Sequence, residues 1–174
     1  MKRLLFVLTS ALLALFVSTS AAQAGTTINP SAAPTGTHLQ RGAIGCSVNQ
    51  STQVVTCSTF ELAGVGGSNA TGSLVTNYTA TVQCRNHGGQ IVEVKSQVKT
   101  SPATTGSLSP KNGRLSVPSL STSVPTAAQF ESQATCPNGN WTKELENGTV
   151  ALSSFTYTLH FAGFTGNYIT ITGP

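Results

Sequence analysis

Aspartate is missing from this chain. Its five acidic residues are Glu61, Glu93, Glu131, Glu144 and Glu146. A Ser-His-Asp triad is therefore excluded, with only Glu left to take that role. The aspartate-rich loops that hold calcium are excluded as well. Charge of either sign is scarce: nine Lys and Arg and five Glu amount to 8% of the residues, so Ser, Thr, Asn, Gln and Gly must cover the surface. The three histidines, His38, His87 and His160, lie far apart in sequence, and no two of them stand at metal-ligand spacing. No two cysteines lie two to four residues apart, as zinc motifs require. Gly64-Val-Gly-Gly67 lacks the Lys-Ser/Thr that completes a phosphate-binding loop. Copper polysaccharide oxygenases need histidine as the first mature residue, where this chain offers Gly25. The expectation is a protein with no catalytic residues, no metal and no cofactor.

The chain opens with an export signal. Met1-Lys2-Arg3 is a short positive region; apolar residues follow from Leu4 to Leu8 and from Ala11 to Val17, and Ala22-Gln23-Ala24 is a small-x-small cleavage pattern. Residues 1–24 read as a signal peptide removed after Ala24. The apolar part falls short of the roughly 20 residues that span a bilayer. No later segment has that character, so no membrane span is expected in the mature protein, which should be secreted.

Loss of Lys2 and Arg3 leaves seven basic residues against five Glu, a net charge of +2. That is too mild to argue for nucleic acid or an anionic membrane as partner. The remaining chain, about 150 residues, suits one domain burying roughly 68–70% of its unfolded surface. Residues 25–40, rich in Thr, Ser, Ala and Pro, read as a loose lead-in, and residues 41–174 as a single domain.

Cys46, Cys57, Cys84 and Cys136 are an even set behind a secretory signal, which reads as two disulfides. Cys46 to Cys57 patterns as a hairpin with a polar turn near Gln50 to Gln53. Folded symmetrically, it sets the two cysteines directly opposite, close enough to bridge. Cys84 then pairs with Cys136.

Period-two alternation dominates the rest. The second arm of the hairpin is expected to run on through Phe60 and Leu62. Leu74, Thr76, Tyr78, Ala80, Val82 and Cys84 share one face of a half-buried strand. After the turn Arg85–Gly89, Val92, Val94, Ser96 and Val98 share the inward face of a partner strand. Ser101–Gly113 reads as a loop, and Leu115–Leu120 as an edge strand because it contains Pro118. Ala128, Phe130, Ser132, Ala134 and Cys136 alternate and read as a strand, leading to a turn at Pro137–Asn140 and a short strand near Trp141–Leu145. In Thr149–Ala162 the parity shifts at Ser153-Ser154, a predicted bulge ahead of inward Phe155, Tyr157, Leu159 and Phe161. A last strand carries Ile169 and Ile171. No helical stripe is apparent after the signal. The predicted fold is all-β, a disulfide-bonded two-sheet sandwich of immunoglobulin-like kind.

Candidate ligand contacts are the aromatics Trp141 and Tyr168, with Asn138 and Asn140 in the turn beside Cys136. For Trp141 the favoured alternative is packing against the Cys84–Cys136 bridge. Tyr78 and Tyr157 have inward parity, whereas Glu61, Glu93 and Glu131 are expected to face water.

Tyr78-Thr-Ala-Thr-Val-Gln-Cys-Arg-Asn-His-Gly-Gly89, Cys136-Pro-Asn-Gly-Asn-Trp141 and Phe155-Thr-Tyr-Thr-Leu159 resemble segments of small secreted proteins of actinomycete-type bacteria, over roughly the C-terminal two thirds of the chain. The resemblance implies export. It implies no activity and carries over no functional residue. The functional expectation is a monomeric, non-enzymatic module that binds a wall component, a polysaccharide or another extracellular protein. The alternatives are a secreted protease inhibitor and a carrier of an apolar small molecule. Expressed in a secreting host, the exported protein should begin at Gly25; N-terminal sequencing that finds Met1 or a start well inside residues 25–40 would contradict the signal assignment.

Overall fold

The strand marked by alternation over Leu74–Cys84 extends beyond it at both ends. A computed structural model describes residues 24–174; the predicted export signal, apart from Ala24, lies outside the described residues. In chain order the elements are β1 (Gly25–Ile28), β2 (His38–Gly42), β3 (Cys46–Val48), β4 (Val55–Cys57), β5 (Phe60–Ala63), β6 (Ala70–Arg85), β7 (Ile91–Lys99), β8 (Ala103–Leu108), β9 (Arg114–Val117), β10 (Leu120–Ser121), α1 (Ala127–Gln133), β11 (Thr142–Leu145), β12 (Ala151–Phe161) and β13 (Ile169–Gly173). A 3-10 turn, Pro30–Ala32, links β1 to β2. Among the described residues no helix is long and apolar enough to cross a membrane.

β6, with 16 residues, is the spine of a seven-stranded antiparallel sheet. On one edge it pairs with β12 over Ala70–Thr79 and then with β11 over Val82–Arg85. On the other it pairs with β8 over Ala70–Leu74 and with β7 over Asn77–Arg85. β13 lies outside β12, and β1 outside β13. The predicted bulge is present: register shifts between Leu152 and Ser154. Asn77 holds it by donating its side-chain amide to Ser154 Oγ at 2.9 Å and accepting from Ser153 Oγ at its carbonyl, 3.0 Å.

Two three-stranded sheets, β10-β4-β3 and β2-β5-β9, accompany the large one. The expected continuous arm from Cys57 through Leu62 is in fact divided between them. At the break Ser58 turns aside, its backbone N–H and hydroxyl both donating to the Gly45 carbonyl. One apolar cluster joins all three sheets, combining Leu74, Phe155, Tyr157, Leu159, Phe161, Ile169 and Ile171 with Val55, Leu62, Leu115 and Val117. A second cluster lies further along β6, where Tyr78, Ala80, Val82 and Val98 meet Phe130 and Ala134 of α1 and its C-terminal end. β6 contributes alternate residues to both clusters from the same face. Beside the last strand, the Phe155 ring lies where a side chain on Gly173 would have to go, so only glycine fits there.

Four further expectations need correction. Residues 25–40 are not a loose lead-in: β1 closes one edge of the large sheet, Ala32 and Ala33 are buried, and β2 pairs with β5. Ser101–Gly113 contains β8, whose Thr, Gly and Ser show no apolar alternation because the N–H and C=O groups of β6 recruit it. The second layer is two small sheets plus a helix, so the two-sheet description is too simple. Finally, Ala127–Gln133 is helix where a strand was expected. Thr126 and Gln129 form a capping box: Gln129 N donates to Thr126 Oγ1 at 3.4 Å, and Thr126 N donates to Gln129 Oε1 at 2.8 Å. Phe130 and Ala134, four apart, fall on one side of a helix as readily as on one face of a strand.

Two tyrosines are fully buried with opposite hydrogen-bond status. Tyr78 donates to the Gln53 carbonyl at 2.9 Å, whereas the Tyr157 hydroxyl, beside Gly72, is buried with no partner. Burial pushes the Tyr157 phenol up to about 12 from 10.0. Tyr157 should therefore resist ionisation in the fold while the unfolded chain ionises it. Its contribution is intact below pH 10 and declines as pH rises from about 10 towards 12.

Both predicted disulfides are present, Cys46–Cys57 across β3 and β4 and Cys84–Cys136 from β6 to the loop after α1. Their sequence separations are 11 and 52. On a loop-entropy basis, removing the long bridge as a Cys84→Ala/Cys136→Ala pair should cost about 4 kcal/mol and removing the short one about 3. Urea unfolding of the two double variants checks that order, and a larger loss from Cys46→Ala/Cys57→Ala would reverse it. Tyr157→Phe should leave stability unchanged or raised and flatten the alkaline decline, while Tyr78→Phe should cost about 1 kcal/mol. Thermal unfolding near neutral pH and above pH 10 separates the two; an equal loss for both would mean that Tyr157 has a partner after all.

Candidate functional site

The chain between α1 and β11 must return from the helix to the edge of β6 in a few residues. It leaves α1 at Ala134, whose N–H caps the helix by donating to the Phe130 and Glu131 carbonyls. Two residues later Cys136 is tied covalently to Cys84, the penultimate residue of β6. Pro137–Asn140 then reverses the chain. Asn138 organises the reversal: its Oδ1 accepts from Asn140 N at 3.1 Å and its carbonyl accepts from Trp141 N at 3.4 Å. β11 follows, with Lys143 opposite Cys84 and Thr142 opposite Arg85.

This path borders an open, shallow cleft of about 430 Å³, lined by Ala134, Thr135, Cys136, Asn138, Gly139, Trp141 and Lys143. Trp141 is half-buried, so its ring neither disappears into the core nor stands free. Lys143 is exposed, and its Nζ donates to the Ala134 carbonyl at 2.7 Å, bracing the loop across its mouth. Glu131 braces it from the other side, accepting from Leu145 N at 3.0 Å. Next to the cleft, Val92 lies across β6 from Lys143 in the same register row, Val92–Cys84–Lys143, and is 41% exposed.

Of the residues singled out from sequence, Asn138, Asn140 and Trp141 come together on this loop with Cys136 and Cys84. Tyr168 does not. It is buried in the other apolar cluster, edge-on to Phe161 with ring centroids 5.6 Å apart, and its hydroxyl donates to the Thr37 carbonyl at 3.3 Å. A ring platform must be open on one face, so Tyr168 is withdrawn as a ligand contact. The reason lies in β13: the chain enters that strand at Tyr168, whose N–H and carbonyl are already taken by Leu159 and Asn29. Lys143 was not singled out, though a signal existed. It shares parity with Trp141 two residues before it in a short strand, which puts both on one side.

The other chemistry-bearing side chains are dispersed. His38 and His160 are exposed, and each places Nδ1 within 2.8 Å or less of a nearby carbonyl, Gly36 and Gly166 respectively. A carbonyl only accepts, so Nδ1 carries the proton in both. His87 is exposed in the β6–β7 turn. Glu61 and Glu131, expected to face water, are half-buried, Glu61 with Arg114 at 3.6 Å and Glu131 against the backbone of β11. Among the described residues, no group of three or more His, Cys, Asp or Glu is placed to hold a metal ion.

No protein-family model matches the chain, and no match is found among curated proteins or among solved structures.

Proposed function

We propose that this chain is an exported, non-enzymatic binding module that takes an extracellular glycan in the cleft between α1 and β11. The observation that carries the reading is the position of Trp141. The only tryptophan of the chain is half-exposed in a cleft whose wall is covalently fixed by Cys84–Cys136. An indole offers flat apolar area for the C–H face of a sugar and a single N–H for one of its hydroxyls. A loop tethered in advance loses less freedom when the ligand arrives.

Two disulfides and the export pattern at residues 1–24 support a destination outside the reducing cytoplasm. The likeness to small exported actinomycete-type proteins points the same way. A large sheet sharing an apolar filling with smaller ones supports a sandwich of broadly immunoglobulin-like kind, with binding loops gathered at one end.

A second reading has one observation behind it. Pro137, Asn138, Gly139 and Asn140 are all exposed directly after a bridged cysteine, as a protease-inhibiting loop would be.

The purified protein should be retained on insoluble wall or polysaccharide fractions, and Trp141→Ala should lose most of that retention while unfolding at the same temperature. Passage of the wild type through every fraction, or undiminished retention of Trp141→Ala, would defeat the glycan reading. Inhibition of a secreted protease by the wild type, lost on replacing Asn138, would favour the second.

A further inference from the structure

We infer that the ligand of this cleft is an acidic saccharide unit, a sugar ring or polyol bearing a carboxylate or phosphate, with Lys143 as the residue that selects the charge. The inference rests on the glycan reading and narrows it. Its basis is the donor inventory of the cleft. Lys143 is the one charged side chain lining it. An ammonium has three N–H donors. One of these is committed to the Ala134 carbonyl at 2.7 Å, which fixes the direction of the group. The other two face no carboxylate: among the described residues the one ion pair within 4.0 Å is Arg114–Glu61, on the distant β5–β9 pair.

Neither nearby acid pairs with Lys143. Glu131, the one acid of α1, accepts from Leu145 N through Oε1 and forms no ion pair with Lys143 within 4.0 Å, and Glu144 alternates to the opposite face of β11 from Lys143. Asn138, a polar side chain of the lining along with Thr135, has Oδ1 occupied by Asn140 N, which leaves its amide N–H groups as further donors. The cleft thus offers donors from Lys143 and Asn138 beside the Trp141 ring and the disulfide. A neutral sugar would use the aromatic wall and leave the ammonium hydrated. An oxyanion on the same ring would take both remaining N–H groups in charge-assisted bonds.

The test compares ligands with and without the negative charge. Titration calorimetry would use an oligogalacturonate, its fully methyl-esterified form and a glycerol-phosphate oligomer, against wild type, Lys143→Gln, Lys143→Arg and Trp141→Ala. Wild type should bind at least one acidic probe about tenfold or more tighter than the ester. The carboxylate and phosphate arms show which source of the anion fits. Lys143→Gln should bring the acidic probe down to the level of the ester, and Lys143→Arg should keep most of the preference. That pair separates loss of charge from loss of the brace to Ala134, with circular dichroism confirming the fold. Equal binding of acid and ester by wild type, abolished by Trp141→Ala, would overturn the charge selection while leaving the glycan reading intact. Binding indifferent to both positions, or none to any probe, would overturn both.

Discussion

β6 has a backbone donor or acceptor at every residue along two open edges, and over 16 residues no single partner is long enough to satisfy either. The partners are therefore laid end to end, β12 then β11 on one side and β8 then β7 on the other. Each joint leaves a gap in the ladder, and each gap is closed by a threonine just outside a strand. At the first, Thr81 N donates to Thr149 Oγ1 at 3.0 Å while Glu146 N donates to the Thr81 carbonyl at 3.0 Å. At the second, Thr76 N donates to Thr100 Oγ1 at 3.2 Å and Thr100 N donates to the Thr76 carbonyl at 2.9 Å. A threonine fits because its hydroxyl stands in for the missing carbonyl while its branched carbon suits extended backbone. Thr76 and Thr81 are themselves buried, so neither N–H could turn to water instead.

Leu152 packs against both of the apolar clusters that β6 threads, and a residue of the β3–β4 turn ties it to Tyr78. Gln53 has φ 58°, the left-handed region that a residue with a Cβ enters at a cost of about 1–2 kcal/mol. In that conformation its carbonyl receives the Tyr78 hydroxyl, and its Oε1 receives Leu152 N at 2.9 Å. Leu152 keeps its place opposite Tyr78, and the register shifts just after it, between Leu152 and Ser154. The strand beside the bulge and the turn are thus linked across 99 residues of sequence. The short disulfide holds the two arms of the hairpin in the register this requires.

What was legible in the sequence follows from how burial is arranged. β6, β12 and β13 each have one face in the apolar clusters and the other in water, so their composition alternates, and the bulge appears as a change of parity at Ser153-Ser154. Cys46 and Cys57 were legible because a symmetric hairpin leaves one pairing. β1, β2 and β8 were not. β1 and β2 are exposed throughout and β8 is at most half-buried, so backbone pairing holds them and leaves no apolar trace. The helix was hidden by a coincidence of periods, since Phe130 and Ala134 satisfy both spacings, although Thr126-Pro-free-Gln129 spacing matched a capping box. In the candidate site, the loop and Trp141 could be located from Cys136, but Tyr168 could not be removed from it, because the contact that buries its ring comes from Phe161, outside its own strand.

The unexpected helix also accounts for the cleft. A strand over Ala128–Cys136 would have covered the inner face of the β6–β7 hairpin along its length. The seven residues of α1 instead reach about 10 Å, against about 30 Å for the nine of β7. Burial along β7 records the shortfall: Val98 is 8% exposed and Ser96 1%, Val94 is half-buried, and Val92 is 41% exposed. Beyond the reach of the helix the chain crosses the gap as a loop, and Cys136 fastens it to Cys84 at the uncovered end. Van der Waals packing on that end is thin, so the covalent link, the Lys143 brace and the Glu131 contact hold the loop in place of a core. A surface held in this way keeps its shape without filling its own interior. That leaves Trp141 half-covered and a ligand-sized volume beside it.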